Sequence, residues 1–249
     1  MSIDRQSGYG DIHASSYDRL FGDRDDTERV AEVLHALADG GEALEFGVGT
    51  GRLAIPLARR GTRVHAVDNS EAMLRILADK LDGEPVVPIR GDFRTVRVEA
   101  PVSLVFCAFS TLFLMEDQAM QVDCLRNAAA NLEVGGRVLI ECFVHDRTRF
   151  VNNQETVAVE VGVDSAVMRL TMLSPNSQVL RIQKFGMGLA GITVLPNRLR
   201  FAYPAELDLM ARLAGLEPEV RWRDWEQHAF SESSDNLIVV YRKVADGPF

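Results

Sequence analysis

The chain is poor in the residues that build redox, metal and cross-linked sites. Its 249 residues include three cysteines and five histidines. Cys107, Cys124 and Cys142 lie far apart and form no C-x-x-C pair. Two of them sit in apolar, strand-like runs, so buried, reduced thiols are expected. The histidines have no partner acids or cysteines at ligand spacing, and no metal is expected. Positive charge is also short. Lys and Arg number 27 against 36 Asp and Glu, a net charge of −9. That acidity repels phosphodiesters and disfavours a nucleic-acid substrate. No apolar run is long enough to span a bilayer, and the N-terminus has no signal-peptide core, so a cytoplasmic protein without membrane contact is expected. Low-complexity tracts and internal repeats are absent. What remains, 47% hydrophobic and 25% charged, suffices for one large α/β domain with a small insertion.

The apolar pattern alternates. Glu42–Phe46 reads as a buried strand, Arg52–Arg60 as a helix and Arg63–Asp68 as a second strand. Ser70 caps a helix over "EAMLRILADK", with Glu71 in the first turn and Lys80 in the last, as the helix dipole favours. "EPVVPIRGD" supplies a third strand and Val102–Phe109 a fourth. Glu116–Leu132 has helical spacing, and "VGGRVLIECFV" gives a fifth strand. Near-continuous apolar strands between helices imply a parallel sheet covered on both faces. From Glu155 to Phe201 the helical period vanishes. Four β-like runs separated by "SPNS" and "GLAG" read as an inserted antiparallel meander. "PAELDLMARLAGL" restores a helix with Gly215 as its cap, and "EPEVRWRDW" and "DNLIVVYRK" close the sheet. Three units follow: a helical lid at 1–40, a central domain at 41–154 and 202–249, and the meander at 155–201. The meander is expected to cover the acceptor or to pair two copies as a homodimer.

"LEFGVGTG" (Leu44–Gly51) carries the chemistry. Gly47, Gly49 and Gly51 follow a strand and open a helix, where glycine admits positive φ and close ligand approach. The dinucleotide fingerprint G-x-G-x-x-G would place its last glycine at Arg52, which a pyrophosphate loop would not tolerate well. The loop does match E/D-x-G-x-G-x-G, with Glu45 as the acid. That form resembles motif I of the class I S-adenosylmethionine-dependent methyltransferases, small-molecule branch. The resemblance runs from about Asp18 to Arg242 and implies a Rossmann-like methyltransferase fold, with a mostly parallel seven-stranded sheet, that binds S-adenosyl-L-methionine. It implies that the loop backbone at Gly47, Gly49 and Gly51 meets the methionine tail, with Glu45 reaching it through water or bracing the loop. Asp68 would take the ribose hydroxyls, as an ionised carboxylate accepts two donors well; Asn69 and Met73 would flank the adenine. Asp92 and Phe93 in "GDF" would meet the adenine edge. Tyr17, in the N-terminal segment, would close over the cofactor carboxylate. A nicotinamide-dependent oxidoreductase and a cofactor-binding protein without catalysis stand as alternatives.

Ligands of open α/β sheets sit at the carboxyl ends of the strands. Phe109 is therefore expected beside the donor methyl, and Ser110, Thr111, Phe143, His145 and Arg149 around the acceptor, under a cover that includes Tyr9. His145 is the first candidate for a base, Glu141 the second, and Tyr17 is the other candidate catalytic group. Trp222 and Trp225 in "WRDWEQHAF" could stack on an aromatic acceptor or pack on the sheet edge. "FSTL" stands where nucleobase and peptide-amide N-methyltransferases carry Asn/Asp-Pro-Pro-Tyr, which disfavours those acceptors.

Overall fold

A computed structural model describes residues 8–21, 24–189 and 191–244. The side chains of Tyr9, Ser15, Ser16, Arg19, Leu20 and Phe21 lie outside that description. Helices α1 (Gly8–Phe21) and α2 (Thr27–Ala38) precede an alternation of β1 (Ala43–Phe46), α3 (Ala54–Arg59), β2 (Val64–Asp68), α4 (Glu71–Lys80), β3 (Val86–Arg90), β4 (Val102–Cys107), α5 (Gln118–Asn131) and β5 (Leu132–Phe143). Strands β6 (Gln154–Val161), β7 (Ser165–Ser174), β8 (Val179–Gly188) and β9 (Gly191–Arg200) follow, then α6 (Pro204–Arg212), β10 (Leu216–Trp222) and β11 (Asn236–Lys243).

Seven strands form one sheet in the order β3-β2-β1-β4-β5-β11-β10. Strands β1 to β5 are parallel, whereas β11 runs antiparallel to both β5 and β10. The central strands are buried on both sides because their side chains alternate between two cores. Val105 and Cys107 of β4, and Leu237, Val239 and Tyr241 of β11, join the core under α5 and α6. Leu104, Phe106, Ile238 and Val240 join the core under α2, α3 and α4. The expected caps are present where the chemistry is local: the Ser70 hydroxyl accepts from the Met73 N–H at 3.2 Å, and Asp117 caps α5 through the Met120 N–H at 2.8 Å. Helix α3 starts two residues later than the spacing suggests, because Arg52 and Leu53 are spent on the turn.

Strands β6 to β9 form a separate antiparallel sheet, a plain meander. It hangs over the carboxyl ends of the parallel strands and meets the turn after β4 and helix α1. The expected lid segment 1–40 divides into two roles. Helix α2 belongs to the layer that covers the sheet, while α1 lies across the strand ends. Helix α1 is latched to its neighbours by short polar contacts. The Ser70 hydroxyl donates to Asp11 at 2.6 Å, and Asp18 accepts from Thr50 at 2.6 Å and pairs with Lys80 at 2.6 Å. Gly10 permits this approach: a Cβ there would lie 2.4 Å from Cβ of Ser70.

Candidate active site

The glycine loop leaves β1 and turns on positive φ angles at Gly47 (76°), Gly49 (56°) and Gly51 (86°). L side chains pay for that conformation, and at Gly47 and Gly51 they would also collide. A Cβ on Gly47 would come within 2.4 Å of Thr111 Cγ2. Gly51 has a different reason: its Cβ would strike Leu77 Cδ1 at 2.4 Å. It permits loop–helix packing and does not line the cleft. Asp68 ends β2 and holds the loop in place. Its two oxygens accept the backbone N–H of Gly49 and of Ser70, each at 2.9 Å. Burial raises its carboxyl above the usual range, and those N–H donors pull the other way.

A cleft of about 410 Å³ opens beside the loop. Tyr17, Gly47, Gly49, Asp68, Asn69, Met73, Asp92 and Phe93 line it, eight of the residues expected at the donor. Asp92 carries a bidentate pair with Arg94, which keeps its carboxyl below the usual range. Glu45 does not reach this cleft. Strand period places it on the face opposite Leu44 and Phe46, beneath the loop. There it is 4% exposed, and its Oε2 has no hydrogen-bond partner among the described residues. Burial drives its carboxyl well above the usual range, with the Arg52 charge opposing. Arg52 also sits 5.4 Å from the centroid of the Phe109 ring, and Arg24 lies 5.2 Å from the same centroid.

A second cavity of about 580 Å³ adjoins the first, and the two share Tyr17, Thr111, Leu114, Ile182 and Asn197. Phe109, Ser110, Thr111, Phe143 and Trp225 line this second cavity, so Phe109 lies here and not in the cleft beside the glycine loop. Phe109 and Ser110 adopt positive φ, 55° and 60°. Glu141 of β5 holds that turn: its Oε2 accepts the Phe109 N–H at 2.8 Å, and its Oε1 accepts the Trp225 indole N–H at 3.1 Å. Burial raises the Tyr17 hydroxyl above its ordinary value, so it stays protonated at neutral pH.

Three expected acceptor residues lie elsewhere, and one is undescribed. His145 turns away from the cavity and stacks on Phe201, ring centroids 4.0 Å apart, with Phe150 on its other flank. Its Nε2 is buried without a partner among the described residues, and burial lowers its pKa. Arg149 points outward and pairs with Glu155 at 3.0 Å. Trp222 packs against the core on the α2 side of the sheet. Tyr9 lies in α1, and its side chain falls outside the described residues. Sequence reasoning missed Arg24, Asp26, Arg169, Lys184 and Asn197, which line the second cavity, and His13, which is also among its walls. The period of two within the meander could have pointed to Lys184 and Asn197; nothing local marks Arg24 or Asp26. Among the described residues no group of three or more His, Cys, Asp or Glu gathers at metal-binding distance, and no helix is long and apolar enough to cross a membrane.

A nucleotide-sized cleft under a tight glycine loop, with an acid after each of the next two strands, opens into a second cavity across a shared wall. This arrangement suits group transfer between two bound molecules. Residues 43–136 match the methyltransferase domain family, and the chain belongs to the S-adenosylmethionine-dependent methyltransferases of class I. It is 32% identical over 84% of its length to the cypemycin N-terminal methyltransferase of a Streptomyces species, of which it covers 86%. The solved structure of the CcbJ methyltransferase from Streptomyces caelestis matches with a TM-score of 0.91 and 38% identity, covering 96% of this chain and 99% of that one. CalS10, an amino pentose methyltransferase from Micromonospora echinaspora solved with S-adenosylmethionine bound, shares the fold with a TM-score of 0.70 at 22% identity, covering 93% and 96%. The cofactor is S-adenosylmethionine. The residues present fit it: Gly47 and Gly49 bring bare backbone to the cleft wall, and the carboxylates of Asp68 and Asp92 in the same wall could accept from hydroxyl and amino donors.

Proposed function

We propose that the chain methylates an amine of a small natural-product molecule held in the second cavity. The observation that carries this reading is the shared wall: Tyr17, Thr111 and Leu114 border both the donor cleft and the larger cavity. Support for an amine comes from the relative whose name assigns it an N terminus and from Glu226 in the cavity wall, beside Asp26, Glu141 and Asp224, which are already engaged by Arg24, by the Phe109 and Trp225 N–H groups and by Arg223.

In this reading the loop backbone from Gly47 to Gly49 receives the methionine tail. Asp68 takes the ribose, and Asp92 and Phe93 take the adenine. Bound, S-adenosylmethionine supplies an electrophilic methyl on a sulfonium. Nitrogen forms the new bond as the sulfur–carbon bond breaks, leaving S-adenosylhomocysteine and one proton, which passes to water. Positive charge at sulfur is lost along the way, so alignment and exclusion of water do most of the work. Phe109, Phe143 and Trp225 supply a dry wall, and the Phe109–Ser110 turn fixes the acceptor against the donor. None of the three expected groups is free to act as a base: His145 is outside the cavity walls, Tyr17 is held protonated, and both oxygens of Glu141 are taken by the Phe109 and Trp225 N–H groups. The acceptor amine therefore enters in its neutral form, and the rate should follow its own ionisation.

The exposed outer face of the meander, with Leu170, Met172, Ile192 and Val194, supports the homodimer expected from the sequence; sedimentation as a monomer would remove that part. The acidic composition supports a small molecule over a nucleic acid. The test of function is a panel of amino acids, amino sugars, peptide amines, indoles and phenols incubated with methyl-labelled donor. Label should move to amines. Transfer only to phenols or carbon would overturn the amine assignment.

A further inference from the structure

The meander carries cations on its cavity-facing side and apolar side chains on its outer side. An antiparallel sheet ordinarily turns apolar residues inward and charge to solvent. Here Leu170, Met172, Ile192 and Val194 face solvent, at 40 to 70% exposure, while Arg169 and Lys184 line the second cavity. These two cations are direct cross-strand partners in the β7–β8 ladder. Like charges at such positions destabilise a sheet. The carboxylate that meets Arg169 is Glu155, at 3.0 Å, and it is shared with Arg149. That contact uses Nη2 of Arg169; its Nε is buried and has no hydrogen-bond partner among the described residues. Burial and then the Arg169 charge hold the Lys184 ammonium below its ordinary value. His13 reaches the same corner from α1, and its imidazole feels the Lys184 charge. The inner face runs from an apolar end at Leu173, Leu180 and Leu199, through Ile182 and Asn197, to this cationic end.

We propose that Arg169 and Lys184 form an anion subsite in the acceptor cavity, so that the acceptor carries a carboxylate or a phosphate besides its amine. The proposal rests on the reading of this cavity as the acceptor site. The sheet-end wall holds Asp26, Glu141, Asp224 and Glu226 together with Arg24 and Arg223, which pair with Asp26 and Asp224, whereas the charged residues of the meander wall are Arg169 and Lys184, so an anionic group of the acceptor would be drawn to the meander end. A guanidinium with an unused N–H beside an ammonium suits either anion, and the half-buried setting strengthens the contact.

The test uses the full chain saturated with S-adenosylhomocysteine and titrated calorimetrically with inorganic phosphate and, separately, with acetate. The wild type should bind one or both in the millimolar range, and the stronger of the two names the anion. R169Q/K184Q should weaken that binding by about tenfold or more while binding S-adenosylhomocysteine as the wild type does. The charge-keeping pair R169K/K184R should restore the anion, which separates charge from folding. No anion binding by the wild type, or equal binding by R169Q/K184Q, overturns the subsite. Matched amines that differ only as carboxylate or carboxamide then complete the test. The carboxylates should show the lower KM, competed by the bound anion; equal use of carboxamides overturns the claim about the acceptor. If the anion binds as stated but no amine is methylated, the amine reading falls and the subsite stands.

Discussion

Replacing Glu141 by Gln tests whether the acceptor wall is held by one buried carboxylate. Both its oxygens accept hydrogen bonds, from the Phe109 N–H at 2.8 Å and the Trp225 indole N–H at 3.1 Å. A glutamine amide can accept only one; its NH₂ then faces the other donor. The loss is one hydrogen bond to a charged group plus a buried donor left unpaired, about 1.5–3 kcal/mol. The consequence is local, because Phe109 and Ser110 sit at φ 55° and 60°, a conformation that costs about 1–3 kcal/mol per residue and persists only when its surroundings enforce it. Equilibrium urea denaturation should show a lower midpoint with an unchanged slope. In kinetics, KM for the acceptor should rise and kcat should fall, while donor affinity stays put, since the Gly47–Asp68 side of the site is untouched. A second substitution, W225F, removes the indole donor. E141Q/W225F should therefore recover part of what E141Q loses, a coupling a double-mutant cycle reads directly. An E141Q protein with wild-type midpoint and kinetics, or a strictly additive double variant, would refute this reasoning.

Other predictions concern the loop, the lid and two buried ionisable groups. G47A must bend the loop away from Thr111, and the donor should bind about tenfold more weakly, since a left-handed alanine costs about 1–2 kcal/mol; calorimetry checks it. G10A should push α1 off Ser70 and speed donor release in stopped-flow measurements, with little change in thermal midpoint. His145 is buried with its pKa lowered, so its contribution to stability is full above its ordinary value near 6.5 and is lost as pH falls. H145F should flatten that acid-side loss in pH-dependent denaturation and leave methyl transfer intact; loss of transfer would return His145 to the site. Glu45 has the opposite sign. Its raised pKa means stability falls as pH climbs above the ordinary carboxylate range, and E45Q should reduce that fall relative to the wild type.

Local pattern told most of the fold. The alternation of apolar strands and helices, the glycine loop, the Ser70 cap and the break of period at 155 each depend on near neighbours in the chain, and each lies where expected. The cleft beside the glycine loop was legible for the same reason: Gly47, Gly49, Asp68 and Asp92 sit at consecutive strand ends, and a parallel sheet must bring those ends together. The acceptor side was harder. Its walls come from strand ends, lid and meander, which converge only in three dimensions. His145 and Trp225 were equally plausible as sequence, but one turns onto Phe201 and the other is drawn in by Glu141. Of the two roles expected for Glu45, its place beneath the loop agrees with bracing, since the period of β1 turns it away from the cleft.

The central claim is that the cleft beside Gly47 and Asp68 holds the methyl donor. Titrating S-adenosylhomocysteine into the wild type and into D68A tests it most directly. The wild type should bind one molecule per chain saturably, and a D68A protein that stays folded should lose that binding. No binding to the wild type at high micromolar ligand, or undiminished affinity in D68A, would contradict it.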